Sequence, residues 1–126
     1  MKHKVAIVLN HQLTEEQLKE LSGKYRKIVY LPDELKAKFA QVEPKSTKET
    51  AKAIVDWLKK EHPDAVVIQG NPDVAAMILL WCALEVVEAF YASEKSRFTK
   101  YVFSEVFREW MIRFAFKGDR TASPLK

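Results

Sequence analysis

Two short stretches without a polar residue, Val5-Ala6-Ile7-Val8-Leu9 and Ala65-Val66-Val67-Ile68, constrain this chain more than any other feature. A strand with one wet face alternates apolar and polar side chains, so an unbroken apolar run marks a strand covered on both sides. Both runs are followed by turn residues and then by a helix start. Strands buried on two faces and separated by helices pair in parallel, joined by right-handed crossovers. The expected fold is therefore α/β: a single domain with a mainly parallel, Rossmann-like sheet flanked by helices.

The segments between these runs fill in the order. Thr14 and Gln17 have the spacing of a capping box, with Leu13 and Leu18 placed to staple the first turn. That helix is expected to run to Ser22, with Gly23 as its stop. Residues 27–31 read as a second strand halted by Pro32, and residues 32–41 contain a short helix ahead of a linker at 42–45. Ser46 and Glu49 suggest a second capping box, after which Ala51, Ile54, Val55 and Leu58 recur at helical spacing. Lys59, Lys60 and His62 follow where cations suit a helix carboxyl end.

Beyond the 65–68 strand, Asn71 is a good N-cap and Pro72 a good first helical residue. The helix expected over residues 73–84 has no polar face, and a helix apolar all round needs burial on two sides. The sheet supplies one side; the expectation for the other is a second subunit, making the protein a homodimer. Residues 86–91 read as a fourth strand and residues 93–100 as a polar, basic loop. Val102, Val106 and Trp110 fit a helix and a bent strand equally well, so residues 101–116 stay open, and 117–126 read as a flexible tail after a domain at 1–116.

Composition narrows the classes of function. Basic residues number 21 against 17 acidic, a net charge of +4, which suits a polyanionic or nucleotide partner without requiring one. With one cysteine, Cys82, no intrachain disulfide or cysteine-based zinc site can form; a buried thiol in an apolar helix is the expected role. The longest apolar stretch, 74–84, is shorter than the ~20 residues a bilayer span needs. The start of the chain carries no signal-peptide pattern, so the expected location is cytoplasmic and no membrane partner is expected. No basic recognition helix for duplex DNA is visible.

In parallel α/β sheets ligands bind beyond the carboxyl ends of the strands. Three loops are expected to converge there: 10–14, 69–73 and 92–97. The first offers Asn10, His11 and Gln12 beside a helix start; a histidine can donate or accept a proton near neutral pH, and helix-start amides favour anions. These side chains can equally serve only their own loop. Gln69, Gly70 and Asn71 permit close backbone approach of a ligand, but lack the glycines of a dinucleotide fingerprint and the lysine of a Walker loop. Ser93, Lys95 and Arg97 combine a hydroxyl with two cations able to grip phosphate, and a solvated basic loop is the plain alternative.

Several fragments taken in order, Asn10-His11-Gln12-Leu13-Thr14-Glu15-Glu16-Gln17, Tyr30-Leu31-Pro32-Asp33-Glu34-Leu35, Val67-Ile68-Gln69-Gly70 and Tyr91-Ala92-Ser93-Glu94-Lys95, resemble a known group. They are similar to the small CRISPR-associated Csx-type proteins, a CARF-like group tied to cyclic oligoadenylate signalling in type III systems. In that pattern a serine stands at Asn10, a threonine at Ser93 and an arginine at Lys95, whereas His11, Gln69 and Gly70 match.

The resemblance implies a CARF-like homodimer that binds cyclic tetra-adenylate and acts as a ring nuclease. No cofactor is implied. A ribose 2′-hydroxyl attacks the adjacent phosphorus in line, which relies on positioning and on charge stabilisation. His11, Lys95 and Arg97 are the implied catalytic residues, and Asn10, Gln12, Gln69, Gly70, Asn71 and Ser93 the implied ring-holding ones. A non-catalytic binding protein of the same fold, and a small interaction domain without a nucleotide ligand, are the competing expectations.

Overall fold

A computed structural model describes residues 2–92 and 98–100. The elements follow one another as β1 (Lys2–Leu9), α1 (Glu15–Lys24), β2 (Tyr25–Tyr30), α2 (Asp33–Ala40), α3 (Thr47–Glu61), β3 (Ala65–Gln69), α4 (Pro72–Leu84), β4 (Glu88–Ala92) and β5 (Phe98–Lys100). They build a five-stranded sheet in the order β2-β1-β3-β4-β5. The first four strands run parallel, and β5 pairs antiparallel to β4. The α/β expectation and the parallel pairing hold.

The two apolar runs sit side by side at the centre, with Val5 opposite Ala65 and Leu9 opposite Gln69. Their alternate residues feed two cores. Ala6, Val8, Val66 and Ile68 pack with Phe39 of α2, Ile54 and Leu58 of α3, and Val74, Ile78 and Cys82 of α4. Val5, Ile7, Leu9 and Val67 pack on the other face with Leu21 of α1 and the Tyr25 ring. The step from β1 to β2 goes one way along the sheet, and the steps to β3 and β4 go the other. Right-handed crossovers then put α1 on one face and α3 and α4 on the opposite one.

Local chemistry explains most element ends and corrects several expectations. The Thr14–Gln17 capping box forms, Gln17 N–H donating to Thr14 Oγ1 at 3.2 Å and Thr14 N–H to Gln17 Oε1 at 2.9 Å. Helix α1 does not stop at Gly23. It runs through to Lys24 and passes directly into β2, because Tyr25 turns extended and buries its ring at the sheet edge. The strand accordingly starts at Tyr25 instead of Lys27.

The second capping box is absent: Ser46 lies near-helical at φ −104°, ψ 1°, where its side chain cannot reach forward. Its Oγ instead accepts from Glu43 N–H at 3.1 Å and donates to Glu43 O at 3.2 Å. The polar stretch 93–100 is not wholly a loop, since Phe98–Lys100 is β5; residues 93–97 and the segments 101–116 and 117–126 lie outside the described residues.

Helix α4 is apolar on every side, as its sequence implies. Val74, Ile78, Cys82 and Ala83 face the core, whereas Met77 and Leu80 on the outer side are each 40% exposed. Its end displaces the expected start of β4. Val87 N–H reaches back to Cys82 O at 2.8 Å, a Schellman closure that puts Val86 in the left-handed region at φ 57°. Residues 86 and 87 are thus spent on the turn, and β4 begins at Glu88. No helix among the described residues is long and apolar enough to cross a membrane.

The amino ends of the strands are tied by charge. Asp64, just before β3, accepts from His3 N–H at 2.7 Å and Lys4 N–H at 3.1 Å. Lys4 Nζ donates to Glu61 O at 2.8 Å and pairs with its carboxylate at 3.1 Å, and Lys2 pairs with Glu88. The amides of Lys4 and then His3 hold the Asp64 carboxyl below the usual carboxylate range.

Two measurements test these ends. A carboxyl with a depressed folded-state pKa stabilises fully above its unfolded value of about 3.9 and loses that contribution as pH falls through the folded value. Asp64→Asn is therefore expected to flatten the acid limb of a denaturant-derived stability profile below about pH 4 while leaving its slope above about pH 5 unchanged. Val86→Gly is expected to raise stability by about 1 kcal/mol in the same assay, because a left-handed β-branched residue costs ~1–2 kcal/mol and glycine returns part of that as chain entropy.

Candidate functional site

The register of the central pair decides what meets at the carboxyl edge. Leu9 lies opposite Gln69, so the next residues, Asn10 and Gly70, leave the sheet side by side. A Cβ on Gly70 would sit 2.4 Å from Phe39 Cζ and 3.0 Å from Asn10 Nδ2. Position 70 is a glycine because the Phe39 ring occupies the space a side chain would need, and because its φ is +156°. The chain reverses direction between β1 and β3, and such a switch point ordinarily opens a crevice. Here Phe39, only 1% exposed, closes it.

The open space lies one strand over. A cleft of about 330 Å³ sits above the ends of β1 and β2, between α1 and α2. His11, Gln12, Tyr30, Asp33 and Lys36 are among its lining residues, together with the buried Ile7 and Leu9. His11 Nδ1 is 3.2 Å from Gln12 O. A carbonyl only accepts, so Nδ1 is the donor in that contact. Tyr30 is 56% exposed, an unusual position for an aromatic ring at the end of a strand.

The expected site residues thus divide. His11 and Gln12 line the cleft. Asn10, Gln69, Gly70 and Asn71 lie at the adjoining β1 and β3 ends, on the same rim of the sheet. Asn71 Oδ1 is already engaged, accepting from Asp73 N–H at 3.0 Å and Val74 N–H at 3.1 Å as the α4 cap, which leaves its Nδ2 for any other partner. Ser93, Lys95 and Arg97 lie outside the described residues.

Sequence reasoning passed over Tyr30, Asp33 and Lys36. The signal was present: a tyrosine closing a strand before a proline, then an acid and a base three residues apart at a helix start. Cys82 is fully buried in the core, and that burial pushes its thiol up to about 12. Among the described residues no cluster of three or more His, Cys, Asp or Glu could hold a metal ion.

Sheet and cleft together define an α/β domain with a small-molecule-sized opening at the carboxyl edge of a parallel sheet. The chain belongs to the uncharacterized protein MJ1673 family, whose model matches residues 3–108. No curated protein and no solved structure matches it.

The packing at position 70 carries its own test. Gly70→Ala is expected to cost about 2 kcal/mol by chemical denaturation, within the range for forcing a methyl group into a filled site. Phe39→Leu in the same chain should recover part of that loss, although alone it destabilises. Equal stability of Gly70→Ala and the parent would show that the ring does not close the switch point.

Proposed function

We propose that this protein is a Rossmann-like, CARF-like homodimer that binds cyclic oligoadenylate, cyclic tetra-adenylate first, and cleaves it as a ring nuclease. In that role it lowers the messenger of a type III CRISPR response. The observation that carries the reading is the meeting of two of the resembling fragments. Asn10-His11-Gln12 and Gln69-Gly70 share one rim, beside a cleft that holds a histidine and a lysine.

The chemistry needs no metal. A 2′-hydroxyl attacks the neighbouring phosphorus in line, the bond to the 5′-oxygen breaks, and the products are linear chains ending in a 2′,3′-cyclic phosphate. His11 Nε2 accepts the hydroxyl proton, and the departing 5′-oxygen takes a proton from water. Lys95 and Arg97 supply positive charge to the phosphoryl oxygens, and Asn10, Gln12, Gln69, Gly70, Asn71 and Ser93 hold the ring.

The outer stripe of α4 supports the homodimer. Ala76, Met77 and Leu80 are exposed with no charged residue between Val74 and Leu84, and the helix begins directly after the β3 loop. Pairing two such stripes about a two-fold axis would use each loop twice, as a symmetric ring requires.

A second reading, sequestration without cleavage, is supported by the His11 partner. A backbone carbonyl orients the imidazole without stabilising its cation as a carboxylate would.

Labelled cyclic tetra-adenylate incubated with the pure protein in EDTA separates the readings. Cleavage predicts linear products with a cyclic phosphate end, and a loss of about tenfold or more (~1.4 kcal/mol in barrier) for His11→Ala. An intact ring bound by excess protein selects sequestration. Absence of binding at any ring size ends both, and a solution mass of one chain ends the dimer.

A further inference from the structure

The cleft between β1 and β2 has the size and chemistry of a subsite for a single nucleotide, not of a container for a whole ring. Its volume of about 330 Å³ lies at the lower end of the range for small-molecule pockets. Three of its side chains are left without a structural task. Tyr30 keeps its ring in solvent at the carboxyl end of β2. Lys36 is half-buried, yet its ammonium joins none of the ion pairs among the described residues, which are Lys2–Glu88, Lys4–Glu61 and Lys24–Glu20. Asp33, three residues before it in the same helix, also makes no described ion pair, and its carboxylate does not cap α2.

A lysine can lay its carbon stem along the cleft wall and keep its ammonium in water, where it is placed to pair with a phosphate that enters. An exposed ring at the same cleft offers a stacking surface to any flat heterocycle. An ionised carboxylate only accepts hydrogen bonds, which suits the hydroxyls of a ribose lying between base and phosphate.

We propose that this cleft is a nucleoside-phosphate subsite, in which Tyr30 stacks on a purine base, Asp33 accepts from the ribose hydroxyls and Lys36 pairs with the phosphate. The inference rests on the cyclic oligoadenylate reading and narrows it. The ring lies along the carboxyl edge and inserts one nucleotide unit per protomer, so Tyr30 and Lys36 set affinity for the ligand and His11 faces the inserted unit.

Calorimetric titration with two probes, cyclic tetra-adenylate and adenosine 5′-monophosphate, tests it on the full chain and on Tyr30→Ala, Tyr30→Phe and Lys36→Gln. Circular dichroism verifies that each variant is folded. Tyr30→Ala is expected to weaken both probes by about tenfold or more, whereas Tyr30→Phe stays within about twofold, since the ring and not the hydroxyl does the stacking. Lys36→Gln is expected to weaken both probes and to make their binding less sensitive to salt, the mark of a lost charge contact.

Unchanged affinity for the cyclic probe in Tyr30→Ala overturns the subsite and leaves the parent reading standing. Tyr30-dependent binding of the monophosphate with no binding of the cyclic probe supports the subsite and overturns the parent reading. Failure of both probes on the wild-type chain overturns both.

Discussion

The pairing of β1 with β3 is the constraint on which the rest of this structure depends. Its register places Leu9 beside Gln69 and makes neighbours of two loops separated by about half the chain. Because both strands are apolar on each face, a slip of one residue would exchange the sets of side chains offered to the two cores. Val8 and Ile68 would lose α3 and α4, and Ile7 and Val67 would lose the α1 face. Burial on both sides therefore fixes the geometry of the carboxyl edge without a polar contact at its centre.

The two ends of the sheet use charge in opposite ways. At the amino end, Lys2, Lys4, Glu61, Asp64 and Glu88 are consumed in pairs and backbone contacts that hold the strands together. At the carboxyl end, His11 hydrogen-bonds the next residue's carbonyl, and Asp33 and Lys36 join no described ion pair. Structural economy spends charged groups where they satisfy neighbours. The cleft at that end is thus edged by polar and charged residues that no described ion pair engages.

Much of the fold was legible in the sequence because burial on two faces removes alternation and leaves continuous apolar runs, as in β1 and β3. The Thr14 and Asn71 caps were legible for a similar reason: each acts within its own turn. The missed features depend on partners distant in the chain. Gly23 carries no mark to say that Tyr25 will bury its ring and end the helix in its place. Ser46 and Glu49 have the spacing of a box, but the backbone angles at Ser46 are set by the preceding turn. At the site, the β1 and β3 loops could be named from strand order alone. The cleft over β1 and β2 could not, because its walls come from α1 and α2, and α2 is seated by the packing of Phe39 against Gly70, a residue distant in the chain.

That plug has a mechanical corollary. Helix α2 is eight residues long and carries Phe39 near one end and Asp33 and Lys36 toward the other. The wedge seated against Gly70 and one wall of the cleft are therefore two ends of a single two-turn element, so the seam of the sheet and the opening beside it share one support.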